Sequence, residues 1–320
     1  MYKDTIPIFF AVDDSYAPFL GVALRSIIDN ASKEYKYKII VINDGLNETN
    51  IRKLSAMKTE NFSVEFVAMQ QLSAESFTNK SDNRLHYDYF TLTIFYRLFI
   101  ADMFPEYDKG IYIDSDIIVP GDISELYNID LKDNLIGGCV DISVAEFDEI
   151  QNYYKNAVGV RGDEYINSGV LLMNLKELRK VKFAEKFMDL LHNYKFDVIA
   201  PDQDYINAMC KGRILHIDNR WDSMPAPGLA QPFENPKLIH YNLFQKPWHY
   251  DGVGYEDYFW SYADKTEFSK EIHDIKDNYS DTEKENDDKN FKVLVQRAVD
   301  VPKTDKCFVY AIKNGAKITV

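Results

Sequence analysis

The stretch Ile6-Pro7-Ile8-Phe9-Phe10-Ala11-Val12-Asp13-Asp14-Ser15 decides the fold. An apolar run this short, stopping at two aspartates, reads as a strand buried on both faces that ends at a polar edge. Downstream, Phe19 to Ile28 places Phe19, Val22, Ala23, Ser26 and Ile27 on one helical face. Lys36 to Ile42 is rich in β-branched residues and stops at the turn signal Asn43-Asp44-Gly45. Asn47 to Met57 is helical in pattern, with Ile51 and Leu54 on one side, and Ser63 to Val67 is strand-like again. Strand, helix, strand, helix, strand is the order of an α/β fold whose mostly parallel sheet is flanked by helices.

Further along, Thr93 to Phe104 reads as an aromatic-rich helix. Gly110-Ile111-Tyr112-Ile113 is a strand that runs straight into Asp114-Ser115-Asp116, and Leu135 to Val140 is another that ends at Asp141. Gly169 to Met173 follows Asn167-Ser168 as a further strand, and Leu175 to Leu191 is a basic amphipathic stretch with a solvated face. Residues 1–250 are expected to form the main domain, and 251–280 a helical segment through Tyr255 to Ile275. Asp281 to Asn290, DTEKENDDKN, has no large apolar residue and reads as a linker. Lys306 to Lys313 and Ala316 to Val320 flank Asn314-Gly315, a hairpin signal. The second strand of that hairpin would run to the last residue, as in a piece of a longer protein.

Composition narrows the function. The 320 residues are 46% hydrophobic and 28% charged, a globular balance, with a formal charge of −14. A field of that sign repels a polyphosphate backbone, so nucleic acid is not an expected partner. The cysteines Cys139, Cys210 and Cys307 are too few and scattered for a disulfide framework and suit a reducing, cytoplasmic setting. No signal peptide or membrane span is expected, and the weakly basic residues 291–320 allow at most a peripheral membrane contact.

Four motifs bear chemistry. Asp114 and Asp116 lie two residues apart at a strand end, about 6.5 Å between Cα atoms if extended. A divalent cation would offset their repulsion and let an acidic protein hold a diphosphate, whereas an exposed acidic turn is the plain alternative. His240 offers an imidazole, and two carboxylates with one imidazole suit Mn²⁺ better than Mg²⁺. Lys246, six residues on, could meet the phosphates, although a lone histidine near aromatics is often a packing residue. After the first strand, Asp13 could accept the imide N–H of uracil and Tyr16 could stack on the ring; Asp14 or Ser15 could equally cap the next helix. Asp202-Gln203-Asp204 opens a helix, where Asp202 could be a cap or could bond sugar hydroxyls. A Gly-rich phosphate loop is missing, which argues against nucleotidyl transfer and dinucleotide binding.

Together these pieces resemble bacterial members of glycosyltransferase family 8, which includes lipooligosaccharide α-galactosyltransferases and glycogenin. The resemblance rests on Ala11-Val12-Asp13-Asp14-Ser15-Tyr16, Tyr96-Arg97-Leu98, Ile113-Asp114-Ser115-Asp116, Tyr165 to Leu171, Asp202-Gln203-Asp204, and His240-Tyr241 with Lys246-Pro247-Trp248, in that order. It implies a GT-A fold, a UDP-sugar donor (glucose or galactose), Mn²⁺ with Mg²⁺ as the alternative ion, a glycan or glycoconjugate acceptor, and retention at the anomeric carbon. It also implies roles: Asp114, Asp116 and His240 on the metal; Ala11, Asp13, Ser15, Tyr16, Ser115 and Lys246 on the nucleotide; Arg97, Asp141, Asn167, Asp202 and Gln203 on the donor sugar. Gln203, Asp141 and Arg97 are then the residues expected at the reacting centre. Two positions depart from the family's pattern: Leu243 stands where a small residue is usual, and Ser15 where Asn is common. A non-catalytic UDP-sugar-binding or stress-associated protein on the same scaffold is the alternative reading.

Overall fold

Strand β1 (Thr5–Val12) sits inside a seven-stranded sheet, hydrogen-bonded to β2 (Lys36–Asn43) on one side and β4 (Gly110–Ile113) on the other. A computed structural model describes residues 2–68, 95–225 and 231–320 of the chain. The remaining strands are β3 (Phe62–Ala68), β6 (Ile136–Val140), β7 (Ile166–Met173) and β8 (Ile214–His216), in the spatial order β3-β2-β1-β4-β7-β6-β8. Among the described residues only β7 runs against its neighbours, and every other pairing in the sheet is parallel. A second, two-stranded sheet pairs β5 (Ile117–Ile118) with β9 (Ile239–His240).

The apolar run of β1 is continuous because helices cover both faces. Ile6, Ile8, Phe10 and Val12 enter one core with Phe19, Leu20, Ala23 and Ile27 of α1 (Ala17–Asn30). Phe9 points into the other, with Tyr112, Leu171 and Tyr205. Alternate side chains therefore stabilise opposite faces, each large one contributing about 1.5–3 kcal/mol.

The other helices are α2 (Glu48–Ser55), α3 (Ile100–Met103), α4 (Ile123–Tyr127), α5 (Asp148–Tyr153), α6 (Leu175–Lys180), α7 (Phe183–Tyr194) and α8 (Pro201–Met209). They are followed by α9 (Glu256–Ala263), α10 (Ser269–Asn278), α11 (Asp281–Asp300) and α12 (Phe308–Lys313). Asn47 caps α2 by accepting from the Asn50 N–H. Phe259, Ala263, Phe268 and Ile272 of the α9–α10 region join the core of β1 and α1. Gly21 makes room for this: a Cβ there would stand 2.5 Å from the Phe268 ring. Among the described residues no helix is long and apolar enough to cross a membrane.

Three expectations need correction, and one amphipathic stretch is resolved into two elements. The stretch from Thr93 to Phe104 is not one helix: its start, Thr93 and Ile94, lies outside the described residues, and the rest is a 3-10 turn (Tyr96–Leu98) followed by α3. The stretch from Leu175 to Leu191 is two helices, broken where Lys182 takes a φ of 54°. Residues 281–290 are no linker but the first half of α11. Ser280 and Glu283 form a capping box at its start, and apolar anchoring comes only in its second half, from Phe291, Leu294, Val295 and Ala298. The hairpin is also absent: Asn314 and Gly315 close α12, with Gly315 at a φ of +91°, and residues 316–320 form no strand. An Asn-Gly pair serves a hairpin turn or a helix end equally, because both need a left-handed residue.

Helix α11 straps three loops together. Asp287 accepts from the hydroxyls of Tyr250 and Tyr279, at 2.8 and 2.7 Å. Phe291 packs edge-on against Phe147, with ring centroids 5.1 Å apart. The Arg297 guanidinium donates to the Val198 carbonyl at 2.6 Å. These loops lead from Lys246, from Asp141, and into Asp202.

Candidate active site

Strand direction brings the polar residues to one edge. Asp13, Asp114 and Asp141 each follow a strand that runs the same way, β1, β4 and β6. Because β7 runs in reverse, its first residues, Asn167-Ser168-Gly169, lie at that same edge: the Asp114 N–H donates to the Gly169 carbonyl at 2.8 Å. In open α/β sheets this is where ligands bind. The small sheet supplies the rest. Ile117 pairs with His240, and the Tyr241 N–H donates to the Asp116 carbonyl at 2.9 Å, so an imidazole from far downstream faces the aspartate loop.

Asp114, Asp116 and His240 each offer a ligand atom within 4.8 Å of the other two. Asp114 Oδ1 accepts from Arg97 at 2.8 Å and from the Tyr112 hydroxyl at 2.6 Å, which leaves Oδ2 facing His240 Nε2 at 3.9 Å. Asp116 Oδ2 accepts from Lys246, and its Oδ1 lies 3.4 Å from the same Nε2. His240 Nδ1 is engaged with Asp222 Oδ1 at 3.0 Å. Each of the three thus turns one ligand atom inward and is held from behind by another contact. Gly169 gives the space: a Cβ there would stand 2.3 Å from His240 Cε1 and 2.8 Å from Asp114 Oδ2.

The electrostatics favour a cation. Asp114, Asp116, Asp222, Asp202 and Asp141 outnumber Arg97 and Lys246 here, and most of them are buried. Burial works against the Asp116 carboxylate, but the Lys246 ammonium and His240 override it and hold the carboxyl well below its usual range. Burial likewise opposes a charged His240, yet Asp222 and Asp116 outweigh it and push the imidazole up to about 10. The carboxylates that favour a charged imidazole would equally favour a divalent ion between them. The donor set, the clearance at Gly169 and the fixed Nδ1 all fit a divalent ion.

Beside this triad lies a polar wall. The Asp141 carboxylate accepts from the Ser143 hydroxyl and N–H, from Asn167 at 3.2 Å and from Gln203 Nε2 at 3.0 Å. Gln203 Oε1 accepts the Ser168 N–H at 2.9 Å, so both ends of its amide are spoken for. Asn167 Oδ1 accepts from the Gly169 N–H, which ties the wall to the triad. Arg97, buried, joins the two halves. It donates to Asp114 and Ser168, and its Nε lies 3.1 Å from Asp202 Oδ2. That last contact is an ion pair without hydrogen-bond alignment. Asp202 is not the cap of α8, whose N-cap is Ala200; the Asp204 carboxylate accepts from the Ile199 and Ala200 N–H groups instead.

On the other flank, Ala11, Asp13 and Tyr16 are half-buried, Ser15 is exposed, and Ser115 is buried within the aspartate loop. Neither Asp14 nor Ser15 caps α1, whose N-cap is Tyr16 with no side-chain bond; Asp13 caps the 3-10 turn before it (Asp14–Tyr16), accepting from the Tyr16 N–H and the Ser15 hydroxyl. Asp14 instead holds Asn47 and Asn50. Tyr16 meets Phe19, which stacks on Trp248 at 4.0 Å, two residues from Lys246. Sequence reasoning missed Asp222, Tyr112, Ser143 and the need for Gly169 as a site residue. No spacing links Asp222 to His240; only the alternation that aims Tyr112 at Asp114 had a sequence signal.

Residues 7–252 match the family model for glycosyl transferase family 8. A Haemophilus influenzae protein is 30% identical over 225 residues, which span 70% of this chain and 64% of that relative. A lipopolysaccharide 1,2-glucosyltransferase of Escherichia coli is 25% identical, over 80% of this chain and 77% of its own. Among solved structures, the galactosyltransferase LgtC in complex with donor and acceptor sugar analogues superposes with a TM-score of 0.64 at 27% identity, covering 82% of this chain and 96% of that one.

Proposed function

The chain belongs to glycosyltransferase family 8 and has its GT-A fold, and from that premise we propose that it transfers glucose or galactose from a UDP-sugar to a glycan or glycoconjugate, with a divalent metal and with retention at the anomeric carbon. The observation that carries this reading is the convergence of Asp114, Asp116 and a rigidly held His240. These three hold the metal, Mn²⁺ ahead of Mg²⁺. When bound, the ion supplies Lewis acidity to the leaving diphosphate.

The protein's own side chains do the remaining work. Lys246, buried against Asp116, offers its ammonium to the diphosphate at the edge of the ion site. Asp13 accepts from uracil and Tyr16 stacks on it, with Ala11, Ser15 and Ser115 around the nucleoside and the phosphates. Arg97, Asp141, Asn167, Asp202 and Gln203 orient the hexose. Gln203 positions the anomeric carbon and is no nucleophile. The Asp141 carboxylate is occupied by four donors and Asp202 faces Arg97, which supports a reaction without a covalent sugar intermediate. The acceptor hydroxyl attacks from the leaving-group face. Its oxygen bonds to the anomeric carbon as the carbon–phosphate-oxygen bond breaks, and its proton passes to the departing phosphate oxygen. Three free, buried thiols suit a reducing compartment, and we place the reaction in the cytoplasm.

The test is incubation with UDP-glucose or UDP-galactose and Mn²⁺, reading UDP release and, by NMR, the configuration of the sugar product. Slow release without an acceptor separates catalysis from mere binding. Asp116→Asn should cut release at least about a hundredfold. Activity near that of the wild type would overturn the metal assignment, and a trapped glycosyl adduct on any carboxylate would overturn the attack from the leaving-group face.

A further inference from the structure

Asp222 is an expensive residue to keep. It is fully buried, its carboxylate makes one hydrogen bond among the described residues, to His240 Nδ1, and its Oδ2 makes none. Burying a carboxylate with an idle oxygen costs several kcal/mol, and an apolar pair of similar volume in place of Asp222 and His240 together would be no less stable. Packing is therefore not what the carboxylate serves.

The backbone around it is rigid. Asp222 ends a 3-10 turn (Asn219–Asp222), whose start is capped by Asp218. The next residue, Ser223, bridges to Ile239, donating its N–H to the Leu238 carbonyl at 2.9 Å and accepting from the His240 N–H at 3.1 Å. Turn and strand are thus stitched together beside the Asp222–His240 pair, which fixes the two backbones that carry it relative to each other.

We propose that Asp222 is a positioning residue for the metal site: by accepting the Nδ1–H it fixes the His240 tautomer and ring plane, keeps the Nε2 lone pair on the side of Asp114 and Asp116, and strengthens Nε2 as a ligand. This inference rests on the metal reading above. A carboxylate behind a ligating imidazole raises its basicity, and losing such a partner typically weakens metal binding about 10- to 100-fold. The one hydrogen bond of the Asp222 carboxylate among the described residues goes to the back of the ring, so its effect is on affinity for the ion rather than on the sugar.

The experiment is a titration of the full chain with Mn²⁺ in the presence of UDP, following free Mn²⁺ by electron paramagnetic resonance. Asp222→Leu should bind about 10- to 100-fold more weakly, and Asp222→Asn, which keeps an acceptor but not the charge, should fall between it and the wild type. Without metal, Asp222→Leu should melt lower than the wild type, because the buried His240 Nδ1–H loses its acceptor, whereas Asp222→Asn, which keeps one, should melt closer to it; a loss of Mn²⁺ affinity in Asp222→Asn is the readout that a merely structural role would not move. Asp116→Asn, expected to lose the binding, identifies the titrated site. Mn²⁺ affinity within twofold of the wild type in Asp222→Leu overturns the inference while leaving the metal reading intact. If that variant does not fold, unchanged affinity in Asp222→Asn overturns it instead. A wild type that binds no Mn²⁺ overturns both.

Discussion

Replacing Gly169 by alanine tests the site geometry with one methyl group. The strand there is extended and its φ is not left-handed, so the backbone itself tolerates alanine. The cost comes from space. The new Cβ would stand 2.3 Å from His240 Cε1, 2.8 Å from Asp114 Oδ2 and 3.0 Å from Asn167 Oδ1. Carbon atoms in contact prefer about 3.5–4.0 Å, so the imidazole must retreat by more than about 1 Å. It cannot pivot freely, because Asp222 holds its far side and Gly169 belongs to a strand bonded on both edges. A displacement of about 1 Å in a positioned group costs about a hundredfold in rate, equal to about 2.7 kcal/mol of transition-state stabilisation. The assay is UDP release from UDP-hexose across a Mn²⁺ series, alongside thermal melting. The expected result is a loss of about a hundredfold, partly recovered at high Mn²⁺, with a lower melting temperature because a rigidly held imidazole must be displaced. Gly138→Ala is the control. Its Cβ would press at 2.6 Å on the end of the Ile166 side chain, which can shift, so it should lower the melting temperature less than Gly169→Ala and leave the Mn²⁺ dependence unchanged. Gly169→Ala activity within threefold of the wild type would refute the idea that this close approach sets the imidazole.

Three further outcomes follow from the same geometry. Leu243 takes a φ of 55° and is 39% exposed, so Leu243→Gly should relieve strain at little loss of burial and raise stability by about 0.5–1 kcal/mol, seen as a higher melting temperature; a lower one would show that Leu243 has a packing role. Asp287→Ala removes the acceptor shared by Tyr250 and Tyr279 and loosens the loop that follows Lys246; it should cost about 1–2 kcal/mol in denaturant titration and raise KM for the donor more than it lowers kcat. Burial pushes the Asp204 carboxyl up to about 6, against the pull of the Tyr165 and Tyr153 hydroxyls and two backbone N–H groups. A carboxyl whose folded pKa exceeds its unfolded value near 3.9 adds stability as pH falls through the folded value and loses it as pH rises. The stability of the wild type relative to Asp204→Asn should therefore grow by about 1.4 kcal/mol from about pH 7.5 to about pH 5, and a constant or shrinking gap in urea melts would contradict the raised carboxyl.

Local pattern alone determined the sheet and the loop of the two aspartates. The run from Ile6 to Val12 could be buried on both faces only in a covered sheet, and a strand that ends in carboxylates places them at the sheet's rim whatever the rest of the chain does. The six motifs, taken together, pointed to the family before any contact was known. Where one signal serves two structures, local reading went wrong: Asn314-Gly315 satisfies the same left-handed demand at the end of α12 as in a hairpin, and DTEKENDDKN lacks apolar residues only because the anchors of α11 begin at Phe291. Tertiary structure alone decided which polar atoms meet. The Asp222–His240 bond joins residues 18 apart, and the missing Cβ of Gly169 matters only because an imidazole from a different sheet crosses in front of it. Such meetings depend on distances of a few tenths of an ångström between segments remote in the chain, and neither periodicity nor spacing encodes those; the packing of both cores sets them.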